Sequence, residues 1–409
     1  MGELKRTLNL AEVTFFAAGV ILGAGVYAVI GKAAGLSGTM LWASFLIAAL
    51  TAVMSLFAYA ELSALYPGSG GEYDFIKEVV SPRWAYVVGG MVALSGIISS
   101  ATISIGFSGY LAQLTDWPQT LTAIGIIVFI FLVNAAGIRH SSIMNIMFTI
   151  IETAGLLFVI WSAAPAVGEV AYTELPAKGL HGLLLGAAVC FFAFTGFEDA
   201  VKLGEETKEP GKNIPRGLFI ASTIVIVLYL CVALVVVSMI PFEELAASES
   251  PLALVVEKRF GRAGALIIAV VALFSTSNSL LSNMLGSSRV LYNFGKESSR
   301  LRPLSYVLPG RKTPVIALGI AAAIAICFSL IGKVEQVALM TNFLMFLTFL
   351  MMNATVIYLR IKKPALKRPF KIPGSIRQVP VISVLAILLV LLLMSYTIYG
   401  LATGAGSGH

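Results

Sequence analysis

The sequence predicts an all-α membrane protein with two interrupted helices, and three observations support this fold class. First, 58% of the 409 residues are hydrophobic and only 12% are charged, whereas soluble domains carry about 25% charged residues. Second, the apolar runs are about 20 residues long, which is the length of a membrane-spanning helix and not of a β-barrel strand. Third, glycines interrupt two of these runs, at Gly23-Ala24-Gly25 and at Phe194-Thr195-Gly196-Phe197.

Eleven apolar runs are long enough for membrane spans. Ten of them divide into five within residues 1–163 and five within residues 181–360, and an odd number of spans per half predicts that the halves have opposite topology. Residues 361–409 are expected to form a cytoplasmic loop, an extra eleventh span and a short outer tail whose last residues resemble a tag remnant. The predicted spans are residues 10–31, 39–65, 84–114, 119–138, 141–163, 181–201, 216–240, 263–292, 314–332, 335–359 and 379–401.

Lysine and arginine are distributed unequally between the two sides of these spans. Most of the 28 basic residues fall in loops on the side of the N-terminus, and cytoplasmic loops are the ones enriched in such residues. We therefore expect a multi-pass protein of the cytoplasmic (inner) membrane with its N-terminus inside and its C-terminus outside. The basic residues left on the outer side are Lys32, Lys178, Lys258, Arg259, Arg262 and Lys333.

The first interruption, Gly23-Ala24-Gly25, predicts two half-helices whose ends lie near the middle of the membrane. An unpaired backbone group in lipid costs several kcal/mol, so such a break persists only beside protein or a water-filled cavity. The N–H groups that begin the second half-helix favour a carboxylate, because the helix dipole adds positive partial charge there. The alternative is helix packing, since Gly19 and Gly23 have a spacing common at membrane helix contacts.

The second interruption offers carbonyl groups around Thr195 and Gly196 that suit an ammonium group. An aromatic ring such as Phe194 is expected to close over the ligand and to make a cation–π contact. The alternative is an ordinary apolar helix with a phenylalanine face, to which Phe197 also belongs. Breaks at matching positions in the two halves are typical of the substrate site of an inverted-repeat transporter, and N–H groups with carbonyls match an α-amino acid zwitterion.

Glu152 lies about eleven residues into the fifth span, near its middle. A charge at that depth costs at least about 2.5–3.5 kcal/mol, and an intramembrane acid is by default a functional candidate. We interpret Glu152 as the group that carries a coupling proton. The alternative is a structural acid that is hydrogen-bonded to a neighbouring helix.

Hydroxyl groups cluster in the middle of the eighth span, at Ser275, Thr276 and Ser277, with Asn278 and Ser279 directly after them. These groups suit a Na⁺ ion held together with freed carbonyls of the first helix, or a hydrogen bond to Glu152. Small polar residues also hold membrane helices together, and that role is the alternative for most of them.

A set of charged residues near the inner ends of the spans is a candidate cytoplasmic gate. Within this set, Glu61 is expected to pair with a loop cation. The alternative is that these residues cap helix ends or lie at the membrane interface. The set comprises Glu61, Arg139, Glu198, Asp199 and Lys202.

Other classes of function lack support in the sequence. No phosphate-binding Walker motif is present, so no ATPase subunit is expected, and no set of residues has metal-ligand spacing. No nucleophile–base pair indicates an enzyme. The net charge of +7 is explained by the inner loops, so we expect a lipid bilayer and a small amino acid as partners, and no nucleic acid. The oligomeric state stays open, and no cofactor is expected.

An ordered set of motifs resembles the amino acid–polyamine–organocation (APC) superfamily, and the set is more specific than any one motif. It covers the chain up to about residue 314. The matching stretches are Gly23–Tyr27, Tyr59–Leu62, Pro67–Tyr73, Phe192–Asp199, Glu205–Pro210, Asn213–Arg216, Ser288–Tyr292 and Lys312–Pro314.

This resemblance implies a leucine-transporter (LeuT) type fold of 5+5 inverted-repeat helices with discontinuous first and sixth spans, and amino acid transport by alternating access. It places the substrate carboxylate on the backbone of Gly23, Ala24 and Gly25. It places the amine on carbonyls near Ile21 and Phe194, with Phe194 as the gating aromatic residue.

Two features depart from the family pattern. Members usually have twelve spans, whereas eleven are predicted here. Some proton-coupled members carry a lysine in the fifth helix, and in this chain the acidic residue Glu152 lies at or beside that place. We expect proton symport of an amino acid, with Na⁺ as the alternative coupling ion. The alternative functions are an amino acid or polyamine exchanger and a nutrient sensor that does not transport its ligand.

Overall fold

The computed structural model describes residues 6–68, 70–136, 142–307 and 313–403, and this part of the chain is almost wholly helical. A two-stranded antiparallel hairpin pairs β1 (Ser375–Ile376) with β2 (Val379–Pro380). The α-helices are α1 Leu10–Leu22, α2 Gly25–Ser37, α3 Leu41–Leu65, α4 Glu72–Val79, α5 Pro82–Leu111, α6 Gln119–Ala135, α7 Ser142–Ala163, α8 Gly179–Cys190, α9 Phe197–Ala200, α10 Pro210–Met239, α11 Phe242–Ala247, α12 Pro251–Glu297, α13 Val315–Ser329, α14 Val334–Lys362 and α15 Val381–Thr403.

The predicted spans correspond to apolar helices of the structure. Eight helical segments of the described residues are long and apolar enough to cross a membrane, and one of them, Gly25–Leu65, contains both α2 and α3. Three further apolar helices, α1, α6 and α13, are shorter. Each of the eleven predicted spans overlaps one of these segments, so the all-α membrane fold class is confirmed. The division into two inverted halves stays a prediction.

The eighth predicted span is longer in the structure than in the prediction. Helix α12 runs from Pro251 to Glu297 and contains one residue with non-helical angles, Gly261, at φ 64° and ψ −164°. A positive φ is readily adopted only by glycine, so Gly261 joins a short first segment to the long membrane helix. The proline after Ser250 favours the start of this first segment, because proline lacks an N–H that would be unpaired there.

The two interrupted helices lie in the interior, and continuous helices surround them. Helix α5 packs along α12 and α14, and α10 packs against α1 and α3. Helix α15 packs on α14 and leaves large apolar residues such as Leu388 and Tyr399 exposed, as expected for a helix that faces lipid. The irregular backbone of the breaks is therefore shielded from the surface by protein.

Candidate substrate site

The first break separates α1 from α2. Helix α1 ends at Leu22, and Gly23, at φ −14° and ψ −153°, turns the chain before α2 begins at Gly25. The N–H of Gly23 still donates to the carbonyl of Gly19 at 3.2 Å, and the N–H of Ala24 donates to Ser279 Oγ of α12 at 3.0 Å. The N–H of Gly25, at the start of α2, makes no hydrogen bond within the described part of the chain. The break therefore presents one unpaired N–H donor, that of Gly25.

The second break is a change of helix type followed by two non-helical residues. Helix α8 ends at Cys190 and continues as a 3₁₀ turn, Phe191–Phe194. Thr195 is extended, with ψ 154°, and Gly196 has φ 118°. The hydroxyl of Thr195 donates to the carbonyl of Phe192 at 2.8 Å, and the N–H of Gly196 donates to Glu198 Oε2 at 2.8 Å. Side chains of this segment thus satisfy part of the backbone that the break releases.

The two breaks lie against each other. A methyl group added at Gly25 would place its carbon 2.7 Å from Ala193 Cα, and one added at Gly196 would lie 2.7 Å from the carbonyl oxygen of Val20. Carbon atoms in ordinary contact are about 3.5–4.0 Å apart, so neither position has room for a side chain. Glycine at both positions lets the backbones of the two broken helices meet.

A cavity of about 80 Å³ opens where the breaks meet. Residues of both breaks line it, together with residues of α5, α12 and α14. It is small beside the 300–1,000 Å³ of a typical site for a drug-sized ligand. The lining residues are Gly19, Val20, Ile21, Gly23, Ala24, Gly25, Ser95, Gly96, Ser99, Ile103, Phe192, Thr195, Gly196, Glu198, Asp199, Asn278, Ser279, Ser282, Asn283, Thr341 and Met345.

A larger cavity, of about 630 Å³, lies at the ends of α7 and α10 and beside the first turns of α12. Charged side chains such as Glu169, Glu243 and Lys258 line it, and it contains no residue of either break. Its size alone does not connect it with the predicted chemistry. The smaller cavity is therefore the candidate substrate site.

Most of the predicted binding residues line this cavity, with two differences at the second break. Phe194 is buried, and its ring packs against Phe45 and Tyr229 with centroid distances of 6.0 and 5.4 Å. Phe197 packs against Tyr59 instead, at 5.2 Å. The phenylalanine that lines the cavity is Phe192, not the predicted Phe194.

The carbonyl of Ile21, predicted to receive the substrate amine, already accepts a hydrogen bond. The hydroxyl of Tyr229 lies 2.9 Å from the carbonyl oxygens of both Ile21 and Leu22. Tyr229 thus binds the carboxyl end of α1 to α10. The preceding residue, Val20, lines the cavity, and its carbonyl oxygen lies against Gly196.

Glu152 is buried in α7, beside α1 and α12. Its carboxylate lies near the hydroxyl groups of Ser275, Tyr27 and Tyr229. Neither carboxylate oxygen meets hydrogen-bond geometry with a described residue, and the same holds for the Ser275 hydroxyl. Thr276 instead donates to the carbonyl of Ala272 at 2.7 Å. Glu152 and Ser275 therefore form a buried polar pair with unused hydrogen-bonding capacity.

Ser277 is half-buried on α12 and is absent from the cavity lining. The hydroxyl groups of the predicted cluster therefore contact different parts of the protein. Ser275 faces Glu152, and Ser279, one helical turn later, holds the first break.

The predicted gate residues divide into two groups. Lys202 Nζ lies 2.5 Å from Asp199 Oδ1. Glu72, the first residue of α4, interacts electrostatically with Lys202 and accepts a hydrogen bond from the Tyr59 hydroxyl at 3.3 Å. Burial raises the pKa of Glu72, and the positive charge of Lys202 opposes that rise. Glu198 accepts the N–H of Gly196, and Arg139 lies outside the described residues.

Glu61 belongs to a separate buried cluster, so its predicted grouping with Asp199 and Lys202 is not observed. Its carboxylate forms a two-bond ion pair with Arg360, through Nε at 2.9 Å and through Nη2. Arg368 Nε lies 3.0 Å from Glu61 Oε1, although its angle is not that of a hydrogen bond. Glu61 therefore contacts one loop cation, Arg368, while its hydrogen-bonded partner Arg360 belongs to α14.

Sequence reasoning missed several residues that line or support the cavity. Among them, Asn283 donates to Ser99 Oγ at 3.0 Å across α12 and α5. Asn278, which the sequence did place beside the hydroxyl cluster, presents a buried Oδ1 with no described partner. Polar residues at positions 275, 278, 279, 282 and 283 recur at helical spacing along α12, and this periodicity is the signal that identifies the polar face.

Two interrupted helices around a polar cavity within a bundle of membrane helices define a membrane transporter of the APC type. A model of the amino acid permease family matches residues 8–406, and the chain belongs to this family. The family and its relatives are transporters and not enzymes.

Curated relatives extend over most of the chain. The branched-chain amino acid permease of Bacillus subtilis is 29% identical over 413 residues, which cover 96% of this chain and 88% of that protein. The methylthioribose transporter of the same organism is 27% identical and covers 93% and 87%. A vacuolar cationic amino acid transporter of Arabidopsis thaliana is 28% identical and covers 82% and 60%. The names of these relatives cover three different substrate classes.

Proposed function

We propose that the protein is a secondary active transporter that imports an amino acid across the cytoplasmic membrane by alternating access, driven by protons. The observation that carries this proposal is the meeting of the two breaks at one polar cavity. Non-helical backbone at membrane depth is tolerated only where it is buried in protein or lines a water-filled cavity, and here residues of both breaks line one cavity. The break between α1 and α2 contributes the unpaired N–H of Gly25.

Backbone groups alone recognise both ends of the amino acid. The free N–H of Gly25, at the positive end of α2, binds the carboxylate. The carbonyl of Val20, at the negative end of α1, accepts hydrogen bonds from the ammonium group. Phe192, which lines the same cavity, covers the ligand in place of the predicted Phe194.

The rest of the cavity favours a small side chain that is uncharged and polar. The facing walls of α5 and α12 present Ser95, Ser99, Asn278, Ser282 and Asn283. A large apolar side chain would leave these buried groups without partners, which costs about 1–3 kcal/mol for each group. The volume of about 80 Å³ also leaves little room for a long side chain. Serine and threonine meet both conditions, and alanine and glycine meet the condition of size. These four amino acids are the proposed substrates.

Coupling to protons takes place at Glu152. Tyr229 lies near this carboxylate and donates to the last carbonyls of α1. A change in the charge of Glu152 therefore acts on the residue that holds the broken end of α1. We propose that protonation of Glu152 shifts the equilibrium between outward-facing and inward-facing states, which the substrate shifts in turn.

Uptake of radiolabelled amino acid into proteoliposomes tests the coupling. Wild-type protein is expected to accumulate substrate when an inward proton gradient is imposed and to reach only equilibrium without it. Glu152→Gln is expected to abolish accumulation while retaining substrate counterflow. Glu335→Gln removes another buried carboxylate, in α14, and serves as the matched control.

Three outcomes distinguish the alternatives. Accumulation by Glu152→Gln at the wild-type level would refute the role of Glu152. Accumulation driven by a Na⁺ gradient alone would show that the coupling ion is Na⁺ and not the proton. Counterflow without gradient-driven accumulation in wild-type protein would indicate an exchanger.

A thermal-unfolding screen tests the substrate class. Twenty amino acids and several polyamines are added singly to purified protein, because a ligand that binds the folded state raises the unfolding temperature by mass action. We expect the largest increases with serine, threonine, alanine and glycine. The largest increase with leucine, isoleucine and valine, or with arginine and lysine, would refute the proposed selectivity.

A further inference from the structure

The last two residues of α14 and most of the loop that follows it, residues 361–377, form a surface of concentrated positive charge, which we call the basic loop. From Arg360 to Arg377 the sequence contains seven basic residues and no acidic residue, and the last acidic residue of the chain is Glu335. Because α14 and α15 both meet the criteria for membrane spans, the connecting basic loop must lie at a membrane surface.

Two of these cations hold the loop in place. Arg360, 1% exposed, donates to Glu61 and to the carbonyl of Ile372, and its Nη1 lies 2.5 Å from Ser375 Oγ. The N–H of Ile372 donates back to Glu61 Oε2 at 2.9 Å, and Arg368 pairs with the same carboxylate. The single acid of this cluster is therefore fully used by the anchoring residues.

Apolar contacts fix the loop further. The ring of Phe370 packs beside Phe57 of α3 and Phe219 of α10, with centroid distances of 6.5 and 5.8 Å. Pro369 packs against the backbone of Gly211 at the start of α10. The backbone of the basic loop is thus ordered before any ligand binds, so a ligand does not have to offset the entropy of ordering it.

The other five cations of the basic loop point outward. All five side chains are exposed, and none forms an ion pair or hydrogen bond with another described residue. Exposed apolar side chains lie among them, including Ile361, Leu366 and Ile376, of which Ile376 is 69% exposed at the tip of the hairpin. The five outward-facing cations are Lys362, Lys363, Lys367, Lys371 and Arg377.

We infer that the basic loop, residues 361–377, is a binding surface for the phosphate headgroups of anionic glycerophospholipids. Lysine and arginine beside a membrane helix are attracted to anionic lipid, and each contributes roughly a fivefold gain in affinity. The exposed apolar residues match the acyl boundary directly below the headgroups. A soluble anion would engage the cations but would leave these apolar side chains in water, so the combination favours a lipid.

The test uses purified full-length protein in detergent and a short-chain phosphatidylglycerol as the probe, with binding followed by native mass spectrometry. The pair Lys367→Gln and Lys371→Gln removes two outward-facing charges and is expected to weaken binding about 25-fold. Lys178→Gln with Lys333→Gln removes two exposed charges from other loops and is expected to bind as wild type does. Lys367→Arg with Lys371→Arg keeps the charge and is expected to retain binding.

Further probes separate the possible sources of the headgroup chemistry. Short-chain phosphatidylcholine and inorganic phosphate are each expected to bind at least tenfold more weakly than phosphatidylglycerol. Equal binding of phosphatidylcholine, equal binding of inorganic phosphate, or unchanged phosphatidylglycerol binding by the Lys367→Gln and Lys371→Gln pair would each overturn the inference. The unfolding temperatures of the variants without lipid show that loss of binding is not loss of folding.

Discussion

Substitution of Gly25 by alanine tests the contact between the two breaks. The added methyl carbon would lie 2.7 Å from Ala193 Cα and 3.3 Å from the carbonyl oxygen of Phe192. Both atoms belong to the backbone, so no side-chain rotation relieves the clash. Since an ordinary carbon contact needs about 3.5–4.0 Å, the broken helices must separate by roughly 1 Å.

The expected cost follows from this displacement. Overpacking of an interior site destabilises a protein by about 1–3 kcal/mol. A misplacement of about 1 Å between groups that must act together lowers a rate by roughly 100-fold. We therefore expect Gly25→Ala to fold with a lowered unfolding temperature, and to lose most substrate binding and transport.

Proteoliposome uptake and ligand-induced thermal shift measure these effects. Gly286→Ala is the matched control, because it also lies in a membrane helix but has no atom within 4 Å of the added carbon. Replacing glycine by alanine in a helix interior stabilises the helix by up to about 1 kcal/mol, so this control should be at least as stable as wild type. Wild-type uptake and thermal shift in Gly25→Ala would refute the proposed contact.

Three further substitutions test individual parts of the structure. Tyr229→Phe leaves two buried carbonyls of α1 without their donor, and calorimetry should show a loss of about 1–3 kcal/mol. Glu61→Gln leaves Arg360 and Arg368 without their carboxylate, and denaturant unfolding should show a loss of about 3–5 kcal/mol; an unchanged midpoint would contradict the ion pair. Because burial raises the pKa of Glu72, this side chain holds more proton in the folded state than in the unfolded state, so its contribution to stability falls as pH rises above about 4.3. Thermal unfolding between about pH 5 and pH 7 should show a smaller fall in Glu72→Gln, and parallel curves would contradict this prediction.

The positions of the helices and of their breaks were predictable because their signals are local. Apolar runs of membrane length identify the helices, and Gly25 and Gly196 identify the breaks because no other residue fits between the two backbones. The sequence also indicated that Glu61 would pair with a loop cation, but it did not identify that cation as Arg368.

The sequence did not predict which side chains of each helix face the cavity. The turn Phe191–Phe194 is a 3₁₀ helix, which has 3.0 residues per turn instead of 3.6. The change in residues per turn alters which side chains point toward the cavity within this segment. Phe192, and not Phe194, lines the cavity. The same uncertainty hid which hydroxyl of α12 holds the first break, and the structure identifies it as Ser279.

Contacts between distant parts of the chain were also beyond the sequence. Arg360 lies 299 residues from Glu61, and no local pattern connects them. The size and polarity of the cavity likewise depend on how α5, α12 and α14 pack, which is a property of the assembled bundle.

Competition by altered substrates tests most directly whether the main chain at the first break binds both ends of an amino acid. Uptake of the best substrate is measured in the presence of its methyl ester, which lacks the carboxylate, and of its deaminated acid, which lacks the ammonium group. The account predicts that neither compound competes, while the unlabelled amino acid competes fully. Competition by either compound at the level of the amino acid would contradict recognition of the zwitterion by the broken helices.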